Sequence, residues 1–383
     1  MMQGRSQRGA LAVHYFLYFG VMGIYLPYFN LYCYHLGFSG WQIGTLSAAR
    51  SIVVIVFSIL WSFLADQFHK RRMLYILCNF ISAALWGWFL LTTEFAWMLV
   101  ATVAYGIFYA PLISFLETFA MEVLGKEKKH YGRMRVWGSL AFIGVVLLLG
   151  RFIELYSIKI IISLIFAGSW VQALVALGFP RMQRAERLFF GDGLRRLLCA
   201  RVVLFLVCAF LMLVSHGAYY AFFSIHLTRL GYDGAFIGLC WAVAVASEVV
   251  VMVFSKHIFK HFSYERVLTA SFAVAALRWS GLWLTESAAA LLLLQLMHAL
   301  TYGTFHMASI LYIDMLAPEA TKTVGQAANN AVTYGLGLMA GFFLSGALFE
   351  RMSTDVLFAV SAVFAACGGL LFQGGVLRQR LKC

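Results

Sequence analysis

The segments GIYLPYFNLYCYHLGFSGWQIG (residues 23–44) and GAYYAFFSIHLTRLGYDGAFIG (residues 217–238) match each other when the chain is shifted by 194 positions. Four glycines of the first segment fall on glycines of the second: Gly23, Gly37, Gly40 and Gly44. Chance similarity between two aromatic-rich helices is the competing explanation, but the shared glycines of the turn weigh against it. The match predicts that the chain contains one unit twice, in parallel orientation.

The composition predicts a membrane protein. Of the 383 residues, 62% are hydrophobic and only 12% are charged, which is far too apolar for a common soluble class. A helix needs about 20 apolar residues to cross a bilayer, and such runs recur along the whole chain. We predict twelve spans, at approximately 11–33, 42–64, 73–93, 95–120, 134–153, 158–178, 202–226, 235–256, 267–285, 288–313, 322–348 and 356–376.

The spans and the repeat together predict an all-α membrane protein, with twelve transmembrane helices in two pseudo-symmetric halves of six. The predicted halves are residues 1–178 and 202–383. Residues 179–201 form a basic, partly amphipathic cytoplasmic linker, which we expect to lie against anionic lipid headgroups. Two six-span repeats are typical of secondary transporters, in which a small-molecule substrate binds near the midplane between the repeats.

The net charge of +13 is a topology signal. Most of the 29 lysines and arginines fall in alternate loops, on the side that also holds the two termini. By the positive-inside rule this distribution predicts that both termini are cytoplasmic. We expect the protein in the inner membrane of the cell. A nucleic-acid partner is not needed to explain the charge.

The sequence lacks the signatures of enzymes and metal sites. The seven cysteines lie singly, and the chain has no H-E-x-x-H, no G-x-S-x-G and no phosphate-binding glycine loop. We therefore expect no cofactor, no metal ion and no enzymatic activity, and we expect a functional monomer.

Three ionisable residues lie near the middle of predicted spans in the second half: Glu248, Arg278 and His298. A charged side chain at the centre of a span costs at least about 2.5–3.5 kcal/mol, so each needs a partner or a wet cavity. Their similar depth predicts one cluster. We interpret Glu248 as the carrier of a coupled proton, and a structural ion pair between Glu248 and Arg278 is the alternative.

Four polar side chains follow three- and four-residue spacing along the tenth span, which places them on one helix face. They are Gln295, His298, Tyr302 and His306. We predict that this face lines a cavity.

Three charged residues of the first half, in or beside spans, are further candidates for the site: Arg50, Glu117 and Arg135. Arg50 either binds a ligand or extends towards the nearer membrane surface. Glu117 and Arg135 could meet across the short basic loop that separates their spans, and we predict that they pair.

Aromatic residues are concentrated at equivalent positions of the first and seventh spans. The set comprises Tyr25, Tyr28, Phe29, Tyr219, Tyr220 and Phe223. Packing against lipid or other helices is the alternative for any single member, but the repetition favours a pocket for a flat apolar group. A nearby arginine would suit a carboxylate on that group.

The stretch FLADQFHKRR (residues 63–72) resembles the loop between spans 2 and 3 of the major facilitator superfamily, in which an acid ends one span and basic residues follow. Asp66, Arg71 and Arg72 match this pattern, which implies a gating role for them, whereas His69 replaces the usual glycine. YGRMRVWGS (131–139), SHGAYYAFFSI (215–225), ASEVV, LRWSG and MHALTYGTFH together resemble the 3-phenylpropionate permease group of that superfamily and the related lactose permease group of proton symporters.

The resemblance to the lactose permease group implies roles for single residues. Glu117 and Arg135 would contact substrate, Glu248 would link the substrate and proton sites, and Arg278 and His298 would act in coupling. Phe142 falls on the position of an aromatic residue that stacks on sugar. Thr301 stands where that group has an essential acid, so we expect the proton site at Glu248.

The predicted function is proton-coupled import of a small organic solute, with an aromatic carboxylate such as 3-phenylpropionate as the first candidate. Arg278, with Arg50 as a second candidate, would hold the carboxylate, and Glu248 would carry the proton. A symporter for a sugar or nucleoside is the alternative within transport, with Glu117 and Arg135 at the substrate. A sensor or lipid-handling protein with a transporter fold, which binds without coupled turnover, is the alternative outside it.

Overall fold

A computed structural model describes residues 2–125, 131–179, 199–318 and 321–380. The described ranges consist of helices joined by short turns, which confirms the predicted all-α class. They divide into two compact units.

The first unit comprises Met1–Phe38, Ala49–Leu188 and Tyr232–Ala242. The described part of the first half of the chain forms seven α-helices: α1 (Met2–His35), α2 (Gly40–Phe68), α3 (Arg71–Trp86), α4 (Phe95–Tyr109), α5 (Pro111–Leu124), α6 (Tyr131–Leu155) and α7 (Ile160–Ala176). The helices α4 and α5 form one span that is interrupted at Ala110, because Pro111 begins the second segment.

The second unit comprises Ser39–Ala48, Phe189–Gly231 and Val243–Cys383. Its half of the chain contributes α8 (Ala200–Arg229), α9 (Gly234–His261), α10 (Tyr264–Leu284), α11 (Ala288–Leu296), α12 (Phe305–Leu316), α13 (Lys322–Asn329), α14 (Leu338–Phe349) and α15 (Thr354–Arg380). A π-helical segment, Ala299–Thr304, lies between α11 and α12, and a second one, Asn330–Gly337, joins α13 to α14.

The predicted repeat is visible in the backbone. The helix α1 ends at His35 and α2 begins at Gly40, while α8 ends at Arg229 and α9 begins at Gly234. In the turns between them, Gly37 and Gly231 have φ angles of 84° and 86°, a conformation that glycine adopts without steric cost. The matching glycines are therefore required by the same turn in both copies.

Eleven helices within the described ranges are long and apolar enough to cross a membrane. The predicted span 158–178 corresponds to the shorter apolar helix α7, which has 17 residues. The protein is therefore a multi-pass membrane protein, and the positions of the predicted spans agree with the helices.

The two units differ from the predicted halves in two short segments, 39–48 and 232–242, which are each grouped with the other half. Close backbone approach explains both. In the first unit, a Cβ on Gly150 would lie 2.2 Å from the carbonyl oxygen of Gly234. In the second, a Cβ on Gly44 would lie 2.6 Å from the carbonyl oxygen of Phe342. The linker 179–201 falls mainly outside the described residues, so its predicted boundaries and lipid contact stay predictions.

Candidate functional site

Arg278 lies at the centre of a buried polar cluster in the second unit. It projects from α10, its side chain is fully buried, and its guanidinium donates to acceptors near the end of α11 and in the following π-helical segment. These acceptors are the Leu294 carbonyl at 2.9 Å, Gln295 Oε1 at 2.9 Å, His298 Nδ1 at 2.8 Å and Thr301 Oγ1 at 3.2 Å. The N–H groups of Arg278, which the sequence analysis assigned to a substrate carboxylate, are thus hydrogen-bonded to acceptors of the protein itself.

Aromatic rings complete the surroundings of Arg278. Its Cζ atom lies 4.3 Å from the ring centroid of Tyr219 and 4.6 Å from that of Trp279, distances typical of cation–π contacts. The Tyr219 hydroxyl donates to Gln295 Oε1 at 3.0 Å. Two residues of the predicted set, Tyr219 and Gln295, therefore help to hold the arginine.

His298 lies between Arg278 and Glu248. Since the guanidinium can only donate, His298 Nδ1 accepts from it, and Nε2 carries the hydrogen that faces Glu248 Oε1 at 2.8 Å. The predicted cluster of three ionisable residues is present, but an imidazole separates the acid from the arginine. The Glu248 side chain is 16% exposed, so it is the more accessible end of this chain of contacts.

The polar stripe of the tenth span forms a column of rings. The rings of His298 and Tyr302 are stacked at 5.4 Å and those of Tyr302 and His306 at 6.0 Å, with interplanar angles of 16° and 4°. His306 Nδ1 lies 2.7 Å from the hydroxyl of Tyr334, which belongs to the second π-helical segment. Tyr220 packs edge-on against His298 and Tyr302, whereas Phe223 is fully buried beside Tyr219.

Sequence analysis missed His216, which is fully buried in the same unit. Its Nδ1 donates to the Met212 carbonyl at 2.8 Å, and its Nε2 has no hydrogen-bond partner among the described residues. The ring lies 4.9 Å from Trp279 and 6.2 Å from Tyr302. The sequence did contain a signal for this residue, because a histidine within an apolar span, here the seventh, is itself unusual.

The first unit contains a different arginine environment. The Arg50 Cζ atom lies 4.2 Å from the Tyr25 ring centroid, and Nη2 contacts Met22 Sδ at 3.3 Å. Its electrostatic neighbours are four tyrosines: Tyr18, Tyr25, Tyr105 and Tyr109. Within the described residues, no carboxylate is recorded against this partly buried guanidinium. Three of the four tyrosines were absent from the predicted site.

The other predicted aromatics of the first unit have packing partners. Tyr25 and Phe29 are stacked with centroids 4.7 Å apart. The Tyr28 hydroxyl donates to the Val146 carbonyl at 3.1 Å. Phe142 is buried, and its backbone lies against α1 at Gly23. Of these residues, Tyr25 alone is recorded in contact with Arg50.

Glu117 and Arg135 lie within electrostatic range of each other. The Tyr131 hydroxyl lies 3.5 Å from Glu117 Oε1, and the Arg135 guanidinium lies over the Phe19 ring at 3.8 Å. Glu117 is exposed on the surface of the unit. The two residues are near each other, but no ion pair between them is recorded among the described residues, so the predicted pair stays a prediction; each residue has an aromatic neighbour.

Two of the three residues assigned to gating, Arg71 and Arg72, contact other parts of the first unit. Arg71 Nη1 lies 3.0 Å from Glu122 Oε1, and Arg72 donates to the carbonyls of Leu177 and Phe179 beyond the end of α7. The side chain of Asp66 lies outside what the structure describes.

Residues 9–360 match the MFS_1 like family, which covers most of the chain. The chain belongs to this family. It is therefore a transporter of the major facilitator superfamily and not an enzyme.

Two relatives and one solved structure are similar to this chain along nearly its whole length. A protein of Escherichia coli (strain K12) named "Probable 3-phenylpropionic acid transporter" is 25% identical over 365 residues, which cover 92% of this chain and 94% of the relative. The maltose permease of Geobacillus stearothermophilus is 24% identical over 379 residues, covering 98% and 96%. The crystal structure of the nucleoside transporter NupG has a TM-score of 0.86 at 17% identity, covering 96% and 98%. This structure shows the common fold.

Proposed function

We propose that the protein is a proton-coupled symporter that imports an aromatic carboxylate such as 3-phenylpropionate across the inner membrane, with both termini in the cytoplasm. The observation that carries this proposal is the environment of Arg50. An arginine embedded among tyrosines, without a recorded carboxylate among the described residues, offers charge and a planar donor fork to an anion.

Arg50 is a better candidate for the carboxylate site than Arg278. The guanidinium of Arg278 already donates to four protein acceptors and is fully buried. The tyrosine rings around Arg50 add flat apolar surfaces that suit an aromatic ring. The similarity to a relative named for 3-phenylpropionic acid supports the same substrate class.

Glu248 is the proposed proton carrier. It is a partly accessible acid that is hydrogen-bonded to an imidazole, and Arg278 fixes the tautomer of that imidazole from the other side. Neutralisation of Glu248 would remove the charge that strengthens the hydrogen bond from His298 Nε2, so protonation would loosen the contacts of the cluster. Arg71 and Arg72 would stabilise one gating state through their contacts in the first unit.

A symporter for a sugar or a nucleoside is the second candidate. The exposed carboxylate of Glu117, with Arg135 in electrostatic range, could bind hydroxyl groups, and the maltose permease relative favours this class. The pH assay described next separates the two candidates.

The test is the external pH of lightly buffered, de-energised cells after addition of 3-phenylpropionate, maltose or uridine. We expect alkalinisation with 3-phenylpropionate beyond that of cells lacking the protein, since the undissociated acid also crosses membranes alone. Glu248→Gln should abolish the excess, and Glu94→Gln, an exposed acid in a loop, should retain it. Alkalinisation by maltose or uridine alone would favour the second candidate. Binding of 3-phenylpropionate without alkalinisation beyond that of cells lacking the protein would indicate a sensor and contradict symport.

A further inference from the structure

Three imidazoles lie in or beside the ring column of the second unit, and they differ in whether they can accept a second proton. His298 is the least suited. Its Nδ1 accepts from Arg278 at 2.8 Å, so protonation would place an imidazole N–H against a guanidinium N–H. His298 therefore acts as a positioning residue, which orients Glu248 through its Nε2 hydrogen.

His216 has an unused acceptor but no path to water. Its Nδ1 hydrogen is held by the Met212 carbonyl, and the whole side chain is fully buried. A proton on its Nε2 would remain enclosed by Trp279, Tyr302 and their neighbours.

His306 differs from both because its Nδ1 partner is a hydroxyl. The Tyr334 oxygen, 2.7 Å away, can donate to a neutral imidazole or accept from a protonated one, so both charge states of His306 keep their hydrogen bond. His306 is also only partly buried. Imidazole is the side chain whose ordinary titration range lies near neutral pH.

The surroundings connect this pair to Glu248. Besides His306, the ionisable residues Glu248 and Tyr302 lie in electrostatic range of Tyr334, and the Ser309 hydroxyl donates to the His306 carbonyl at 2.8 Å. A Cβ on Gly303 would lie 3.7 Å from Glu248 Cγ, so the acid packs against the helix turn between His298 and His306. Tyr302 and Tyr334 both belong to π-helical segments, which are frequent at functional sites.

We infer that the His306–Tyr334 pair receives the proton that leaves Glu248 and passes it to water beyond the C-terminal end of the tenth span. This inference rests on the proposed symport. Glu248 gives its proton through water to the Tyr334 oxygen, as that hydroxyl passes its own proton to His306 Nδ1. Tyr334 is unchanged, Glu248 becomes a carboxylate and His306 becomes an imidazolium. The His306 ring then rotates so that Nδ1 faces water, loses the Nδ1 proton there and rotates back, which restores the starting tautomer with its hydrogen on Nε2.

The test compares two transport assays in proteoliposomes with labelled 3-phenylpropionate as the probe. Uptake driven by an alkaline interior requires proton release in every cycle, whereas counterflow exchanges substrate without net proton movement. We expect His306→Gln to slow pH-driven uptake about tenfold or more, as removal of a proton-transfer group does, and to leave counterflow within about twofold. Tyr334→Phe, which keeps the ring, should show the same separation.

His226→Gln is the matched control. His226 is a buried imidazole of the same unit whose Nδ1 also lies against a hydroxyl, that of Thr354 at 2.9 Å. We expect His226→Gln to preserve the ratio of the rate of pH-driven uptake to the rate of counterflow. Unchanged pH-driven uptake in His306→Gln, or equal loss in both assays, would overturn the proton-release role. Absence of pH-driven uptake in the unsubstituted protein would instead overturn the proposed symport.

Discussion

The two embedded arginines have opposite surroundings. Arg278 donates to four acceptors provided by the protein and is covered by two aromatic rings, whereas Arg50 lies among tyrosines with one recorded sulfur contact. A buried donor that lacks an acceptor is costly, so the acceptors around Arg278 fix its role within the fold. The difference teaches that a charge in a span marks a ligand site only when the protein leaves some of its hydrogen-bonding capacity unused.

We expect the largest effect, a loss of thermal stability, from substitution of Arg278. Arg278→Gln would leave the carbonyl of Leu294 and the side chains of His298 and Thr301 without their donor, at about 1–3 kcal/mol for each unsatisfied group. We expect a large fall in the thermal unfolding temperature of the detergent-purified protein. Arg151→Gln, at a side chain that is 70% exposed, is the control and should have little effect. A wild-type unfolding temperature for Arg278→Gln would contradict the structural role.

The second prediction concerns Arg50. Charge-assisted hydrogen bonds contribute about 1.5–3 kcal/mol, so Arg50→Gln should weaken 3-phenylpropionate affinity by about 10- to 100-fold. The concentration for half-maximal counterflow measures this change. Arg50→Lys keeps the charge without the planar fork and should be intermediate. The unfolding temperature should remain near that of the wild type, and a fall comparable to that of Arg278→Gln would remove the distinction between the two arginines.

A smaller effect is expected at Tyr25, whose ring faces the Arg50 guanidinium at 4.2 Å. Loss of a cation–π contact costs about 0.5–2 kcal/mol, so Tyr25→Leu should raise the half-maximal counterflow concentration several-fold. Tyr25→Phe keeps the ring and serves as the matched variant, with little change. Equal losses in both variants would indicate that the hydroxyl, and not the ring face, is the important group.

The smallest expected effect is that of Tyr219→Phe. This change removes the hydroxyl bond to Gln295 Oε1, but Arg278 still donates to the same oxygen. A typical hydrogen bond contributes about 0.5–1.5 kcal/mol, so a slight decrease in unfolding temperature is expected in thermal denaturation. A decrease as large as that of Arg278→Gln would show that the hydroxyl bond, more than the aromatic cover, holds the arginine.

The fold was predictable because its determinants are local in the sequence. Apolar run length defined the spans, and the shared glycines at positions 37 and 231 marked the same turn twice. The polar stripe from Gln295 to His306 was also visible, since residues three and four apart share a helix face. The structure shows three of its members stacked or hydrogen-bonded in one column.

The contacts across helices were not predictable from spacing. Depth along the spans brought Glu248 and Arg278 into one cluster, but it could not show that His298 separates them. Tyr105 and Tyr109 reach Arg50 from a different helix, and an aromatic residue in a membrane span has no individual signal in the sequence. Hydrophobic periodicity likewise cannot distinguish a six-residue π-helical segment from the α-helix around it.

The π-helical turn at Ala299–Thr304 has a consequence for the length of the chain. A π-helical turn accommodates one residue more than an α-helical turn, while the helix on either side keeps its direction. Deleting a single residue within 299–304 can therefore restore regular α-helix and leave His298 and α12 facing their present neighbours. The same deletion inside α12 would rotate everything after it by about 100° about the helix axis. Among homologous chains, a one-residue gap at this turn is thus compatible with an unchanged bundle.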